Sequence, residues 1–278
     1  MNLYRQICRQ LSNNVGTGEA SAITFILLQH TCNLTKNDIL LGIDDNISAE
    51  KIETDVQPLV DRLMNGEPIQ YVIGYTYFLG LKIKVTPSTL IPRPETEELI
   101  QHISNLNPSR ILDIGTGSGC IALSLKHIYP DAYICATDIS VEALDIARQN
   151  ASNLCLDIDF KHDDILSTTL CGDHFDLIVS NPPYITYSEK TDMDRTVTDF
   201  EPGTALFVPD DNPLLFYDTI IRYATNSMNT GGVLAFEASR QYAYQVMEKM
   251  QQEGFAAEVI KDSYDNDRIV IGRKGIRR

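Results

Sequence analysis

Tryptophan is missing from this chain and positive charge is scarce: its 278 residues carry 23 lysines and arginines against 38 aspartates and glutamates, a net charge of −15. Nucleic-acid phosphates are gripped by Lys/Arg surfaces, so this balance argues against tight, sequence-independent binding to nucleic acid. The acidity serves solubility and would also suit a partner with a basic face. Cysteine is present but unpatterned. Cys8, Cys32, Cys120, Cys135, Cys155 and Cys171 are widely scattered, with no CxxC and no histidine pair at ligand spacing. That argues against a structural zinc site or a disulfide framework, and no metal is expected. Cys120 and Cys135 sit in apolar contexts, where a free cysteine acts as a small buried hydrophobe. Long hydrophobic runs are absent as well. None approaches the roughly 20 residues that cross a bilayer, and the first ten residues lack the apolar segment of a secretory signal. The expectation is a cytoplasmic protein without membrane contact, and a 43% apolar fraction is enough for a true core.

What is present divides the chain in three. Residues 1–74 read as a small bundle of four or five helices: Ile7 with Leu11, and Ile23 with Ile26 and Leu27, share helical faces. Thr35 and Ser48 stand where N-caps would, ahead of a short helix and a long one over 49–64, and Gly42 and Gly66 stand where those helices would end. Over 75–92 the period drops to two around Gly80, which predicts a β-hairpin linker. From 93 to 278, strands and amphipathic helices alternate, with Pro94 placed to open the first helix. Strands are expected at 111–114, 133–137, 158–160, 177–180 and 233–236, and helices at about 118–129, 141–150 and 213–227. The alternation predicts an α/β fold, a mostly parallel Rossmann-like sheet with helices on both faces. Ala256–Lys261 and Arg268–Gly272 are linked too closely for a crossover and predict an antiparallel pair at the C-terminal end. Arg273–Arg278 reads as a frayed tail.

Two loops carry the chemistry. The first is Gly115-Thr116-Gly117-Ser118-Gly119, between a strand and a helix, where backbone can approach a ligand and helix N–H groups point at it. Its spacing is GxGxG, unlike the GxGxxG of dinucleotide sites. Asp138 closes the next strand, placed to accept the ribose hydroxyls of an adenosine. That adenosine could belong to a nicotinamide cofactor or to S-adenosylmethionine. Asp113, two residues before the first glycine, favours the second, because it would attract an α-amino group and repel a pyrophosphate. Asp164 and Ile165, after the third strand, could bind and cover the adenine. The bland alternative for Asp163 and Asp164 is a solvated loop.

The second loop is Asn181-Pro182-Pro183-Tyr184, at the end of the apolar run Phe175–Ser180. Neither proline can donate a ladder hydrogen bond, and each restricts the residue before it, so the strand stops in a stiff loop. A carboxamide nitrogen is a poor nucleophile because its lone pair is delocalised. The Asn181 side-chain oxygen and the Pro182 carbonyl can each accept one N–H of such a group, aim its lone pair and stabilise the charge that develops on it. Tyr184 can stack on the planar amide. The pair of loops predicts a methyltransferase.

With these residues in view, the chain resembles the peptide-chain-release-factor glutamine methyltransferase (PrmC, or HemK) family over nearly its full length. The resemblance rests on Glu67-Pro-Ile-Gln-Tyr71, Leu90-Ile-Pro-Arg-Pro-Glu-Thr-Glu97, Asp113–Gly119, Asn181–Tyr184, Phe200-Glu-Pro202 with Ala205-Leu206, and Asp267-Arg268 ahead of Gly272. It implies N5-methylation of the glutamine in a release factor's Gly-Gly-Gln motif, with S-adenosylmethionine as donor and S-adenosylhomocysteine as product. It also implies a class I methyltransferase domain, a monomer, and an N-terminal bundle that grips the release factor. Ile165 departs from the aromatic residue often found there, and Ala238-Ser239-Arg240 from a nearby glycine. The rival readings are weaker. A DNA adenine-N6 methyltransferase shares the Asn-Pro-Pro-aromatic loop but should carry a basic target-recognition region. A nicotinamide dehydrogenase needs the other glycine spacing, and an adaptor would leave Asn181–Tyr184 unexplained.

Overall fold

The computed structural model describes residues 2–168, 170 and 174–275, so Cys171 and the last three tail positions lie outside the described residues. The chain forms two compact units. One comprises the residues up to Tyr75 together with Asp194–Phe200; the other comprises Thr76–Met193 and the residues from Glu201 onward.

The first unit is helical. Leu3, Ile7 and Leu11 of helix Leu3–Leu11 pack with Leu27 and Leu28 of helix Thr17–Cys32 and with Val56, Val60 and Leu63. Thr35 forms a reciprocal capping box with Asp38, and Gly42 (φ 73°) follows that short helix with left-handed backbone. Ser48 caps the stretch from 49 to 64 by accepting from the Lys51 N–H. That stretch contains a π-turn over Ile52–Val56, immediately before Gln57–Met64. Pro58 is the physical cause. It has no N–H for the carbonyl four residues back and its ring would crowd it, so the preceding turn widens and Gln57 bonds to the Ile52 carbonyl instead. Arg62 donates to both carboxylate oxygens of Glu67 and to the carbonyls of Tyr71 and Val72, which ties down Glu67-Pro-Ile-Gln-Tyr71.

A hairpin follows, pairing β1 (Tyr75–Phe78) with β2 (Leu81–Lys84); both turn residues, Leu79 and Gly80, have positive φ, the geometry a two-residue turn between twisted strands requires. The strands that follow are β3 (Arg110–Ile114), β4 (Tyr133–Asp138), β5 (Asp159–His162), β6 (Phe175–Ser180), β7 (Ile185–Thr186), β8 (Phe207–Val208), β9 (Met228–Glu237), β10 (Phe255–Lys261) and β11 (Asp267–Lys274). Among the described residues seven of these build one sheet in the order β10-β11-β9-β6-β3-β4-β5, in which β9, β6, β3, β4 and β5 are parallel and β11 is antiparallel to both neighbours, while β7 and β8 pair separately. β3 and β6 are buried along nearly their whole length because helices cover both sheet faces. Chain order runs one way from β3 through β4 to β5 and then jumps back to β6. The gap between β3 and β6 is therefore the topological switch point, where open α/β sheets bind ligands at their carboxyl ends.

Three expectations need revision. Arg273 is not frayed: it pairs with Ala256 and Val233 inside β11, and its guanidinium donates to the Gly231 carbonyl. Lys274 likewise donates to the carbonyls of Thr225 and Met228. Helix Ala243–Gln252 was not expected. Its buried Ala243, Val246 and Met250 have helical spacing, but the polar residues between them dilute the signal. The β7–β8 pair is two residues long, too short to leave a period. The antiparallel pair after Gly254 is as expected, its turn held by Asp262, which accepts from the Tyr264 and Asn266 N–H groups.

Candidate active site

The site is assembled by one strand pairing. Ile114 at the end of β3 is the register partner of Ser180 at the end of β6, and the Ser180 hydroxyl donates to the Ile114 carbonyl at 2.7 Å. The next residues are Gly115 and Asn181, so the glycine turn and the Asn-Pro-Pro-Tyr loop leave the sheet as immediate neighbours. Parallel strands lie about 4.8 Å apart, which sets the scale of the separation at their roots.

The glycine turn is fastened from β4. Both Gly115 and Thr116 donate their N–H groups to the Thr137 carbonyl at 2.9 Å, and Gly117 donates to Asp138 Oδ2 at 2.8 Å. Gly117 has φ +55° and open space where a Cβ would stand, the condition for close approach of a ligand to backbone. Gly119 serves packing: a Cβ there would stand 3.2 Å from that of Ala147 on helix Val141–Leu154. Thr116 and Ser118 are buried. The Thr116 hydroxyl donates to Asp113 Oδ2, and the Ser118 carbonyl accepts from Asn150.

Asp113 is fully buried. Its Oδ2 accepts from the Thr116 hydroxyl and the Ala122 N–H, while its Oδ1 has no partner. Burial, reinforced by the negative charge of Asp138, pushes its pKa up to about 7. An orphaned buried carboxylate oxygen beside a glycine turn is suited to an ammonium group. Asp138 is raised as well, chiefly by burial; its Oδ1 accepts from the Ser140 N–H, and a carboxylate's two oxygens have lone pairs left for hydroxyls. Asp164 caps its own loop, accepting from the Leu166 N–H and the Ser167 hydroxyl, and Ile165 packs on the edge of the core.

On the acceptor side, Pro182 is buried and Asn181 half-buried. Asn181 Nδ2 donates to Thr96 Oγ1 at 3.2 Å, the Thr96 hydroxyl donates to Glu237 Oε2 at 2.5 Å, and the Tyr184 hydroxyl donates to Glu237 Oε1 at 3.3 Å. Burial and the Glu237 charge hold the Tyr184 phenol well above its ordinary pKa, so it stays a donor. Thr96, Glu237, Arg93 and Glu201 are site residues that composition and spacing did not single out. Glu201 is 6% exposed; it accepts from the Ile91 N–H at 3.2 Å and pairs with Arg93 at 2.5 Å, clamping the segment that delivers Thr96. The available signal was a carboxylate closing the apolar run Val233–Phe236 and another between Phe200 and Pro202.

The PrmC N-terminal domain family matches residues 2–74, and the methyltransferase small domain family matches residues 94–200. A release factor glutamine methyltransferase from Bacteroides thetaiotaomicron is 42% identical over 260 residues, covering 92% of this chain and 93% of that protein. One from Flavobacterium psychrophilum is 39% identical, covering 97% of each. The chain belongs to the release factor glutamine methyltransferase family. Its fold is also that of more distant enzymes. A methyltransferase from Pyrococcus furiosus superposes with a TM-score of 0.57 at 20% identity, covering 78% of this chain and 98% of that one. A T. thermophilus 16S rRNA N2 G1207 methyltransferase, solved with AdoMet and guanosine, gives 0.54 at 15% identity, covering 72% of this chain and 49% of that one. The family's class I methyltransferase fold thus accounts for the switch-point sheet and its antiparallel β10–β11 edge.

Proposed function

We propose that this enzyme transfers a methyl group from S-adenosylmethionine to the side-chain nitrogen, N5, of the glutamine in the Gly-Gly-Gln motif of peptide chain release factors. The observation that supports the reading is the Ile114–Ser180 pairing, which sets the Gly115–Gly119 turn beside the Asn-Pro-Pro-Tyr loop. Asp113 Oδ1 would hold the cofactor's ammonium, Asp138 its ribose, Gly115–Gly119 the backbone cradle, and Asp164 with Ile165 the adenine. When bound, the cofactor supplies an electrophilic methyl on a sulfonium.

This chain's residues do the rest by orientation. Asn181 Oδ1 and the Pro182 carbonyl would each accept one N–H of the substrate amide, turning its nitrogen lone pair toward the donor and stabilising the positive charge that grows there. Tyr184, with Pro183 beside it, would fix the plane of the amide. Alignment of this kind can lower a barrier by about 7–11 kcal/mol, more than any single hydrogen bond contributes.

In the N-terminal unit Leu40 and Leu41 are 72% and 77% exposed, an apolar ridge of the kind partner surfaces carry, which supports a release-factor-gripping role for that unit. No helix among the described residues is long and apolar enough to cross a membrane, and the proposed setting is the cytoplasm, with the enzyme acting as a monomer. Purified enzyme and S-adenosylmethionine should add 14 Da to the Gly-Gly-Gln peptide of a release factor, the mass of one CH₂, and leave adenine in DNA unmodified. Methylated DNA with an unchanged release factor would point to the adenine-N6 reading instead.

Two measurements address the cofactor side. Asp113 must be ionised to pair with an ammonium, and its pKa is about 7 in the free protein. Cofactor affinity should therefore fall as pH drops below 7, with proton release on binding, and Asp113→Asn should bind more weakly with a flat profile. Calorimetry from pH 5.5 to 8 would show it. Asp138→Ala should weaken cofactor binding by about 1.5–3 kcal/mol, the range for hydrogen bonds to a charged group, while also freeing the Gly117 N–H. Unchanged affinity would remove Asp138 from the ribose site.

A further inference from the structure

We infer that Thr96 and Glu237 are positioning residues that dictate which end of the Asn181 carboxamide faces the substrate. The inference rests on the methyl-transfer reading of the Asn-Pro-Pro-Tyr loop and adds the part that sets its polarity. A carboxamide has two ends of nearly the same shape, one accepting and one donating. Only the oxygen end can receive a substrate N–H; the reversed amide would set NH₂ against NH₂.

Nothing in the Asn-Pro-Pro-Tyr loop itself decides between these orientations. Thr96 does. Its hydroxyl has a single proton, and that proton is committed to Glu237 Oε2 at 2.5 Å, inside a site where Thr96 is 2% and Glu237 1% exposed. Only lone pairs remain on Oγ1, so its neighbour must be a donor, and Asn181 Nδ2 fills that place at 3.2 Å. The Asn181 oxygen is thereby turned away from Thr96 and left free.

The direction of the chain originates at Glu237, because an ionised carboxylate can only accept. Burial, with the charge of Glu95 adding to it, holds its pKa above the ordinary carboxylate range, and the geometry has it accepting at both oxygens. The Thr96 hydroxyl, the Arg268 charge and the Tyr184 hydroxyl act the other way. The same carboxylate accepts from Tyr184 at 3.3 Å, so one buried group aligns both side chains that would meet the substrate amide. The Leu90–Glu97 segment serves the same end, since the Arg93–Glu201 pair and the Ile91 bond to Glu201 hold the loop that presents Thr96.

The test compares wild type with Thr96→Val, Thr96→Ser and Glu237→Gln, using an intact release factor and S-adenosylmethionine. Valine keeps the shape of threonine and removes the hydroxyl. It should lower kcat about ten- to a hundredfold, with cofactor affinity by calorimetry held within about twofold. Serine restores the hydroxyl and should return kcat to within about threefold of wild type. Glutamine at 237 can donate to Thr96 and reverse the chain, so Glu237→Gln should lose as much as Thr96→Val. In the cofactor-free protein, the Asn181 side-chain NH₂ should exchange with solvent faster in Thr96→Val than in wild type by NMR. Wild-type kcat in Thr96→Val, or a loss that Thr96→Ser fails to restore, overturns the inference while leaving the activity standing. A wild-type enzyme that leaves the release-factor glutamine unmethylated overturns the functional reading and this inference with it.

Discussion

Asn181→Ala should lower kcat for release-factor methylation by about 10²–10³-fold while cofactor affinity and fold stay close to wild type. The size follows from what removing one preorganised charge-stabilising group costs in other acyl and group-transfer sites, about 3–4 kcal/mol. The sparing of the fold follows from the position of the residue. Asn181 lies beyond the last paired residue of β6, and its side chain makes one hydrogen bond, to Thr96, which stays satisfied through Glu237. The loop keeps its course because Pro182 and Pro183 stiffen it and the Ser180 hydroxyl anchors its root to Ile114. Single-turnover methylation with saturating release factor, alongside calorimetry for the cofactor, is the measurement. Turnover near wild type would remove the acceptor-loop mechanism altogether.

Glu201→Ala should lower stability by about 3–5 kcal/mol, with loss of activity as a consequence. Removing one partner of a buried ion pair strands the other, which is worse than never having had the pair. Here the stranded groups are the Arg93 guanidinium and the Ile91 N–H. Arg93 is 30% exposed, so water recovers part of the charge and the effect belongs at the low end of the range. The loop they hold carries Thr96, so activity should fall further than the folded fraction alone requires. Urea denaturation gives the stability change, and turnover per folded molecule gives the excess. A denaturation midpoint unchanged from wild type would mean that Arg93 and Ile91 find other partners.

Much of this molecule was readable from local pattern. The hairpin around Gly80, Pro94 opening its helix, and capping by Thr35 and Ser48 are all features of neighbouring residues, and all appear in the structure. So are the apolar runs of β3 and β6, because buried parallel strands need no alternation. Helix Ala243–Gln252 and the in-sheet Arg273 were lost where polar side chains or long charged ones mask a weak period.

The sequence by itself determined the chemistry on offer: a glycine turn after a strand, carboxylates at strand ends, and an asparagine held rigid by two prolines. Only the tertiary structure decided that Ile114 pairs with Ser180, that Asp138 fastens Gly117 while Asp113 is left with a free oxygen, and that Thr96 meets Glu237 across 141 positions. Turns, caps and strand stops are set by backbone sterics within a few residues, so they can be read in place. Strand order and buried hydrogen-bond partners depend instead on how the whole apolar surface is removed from water, and no short stretch of chain contains that information.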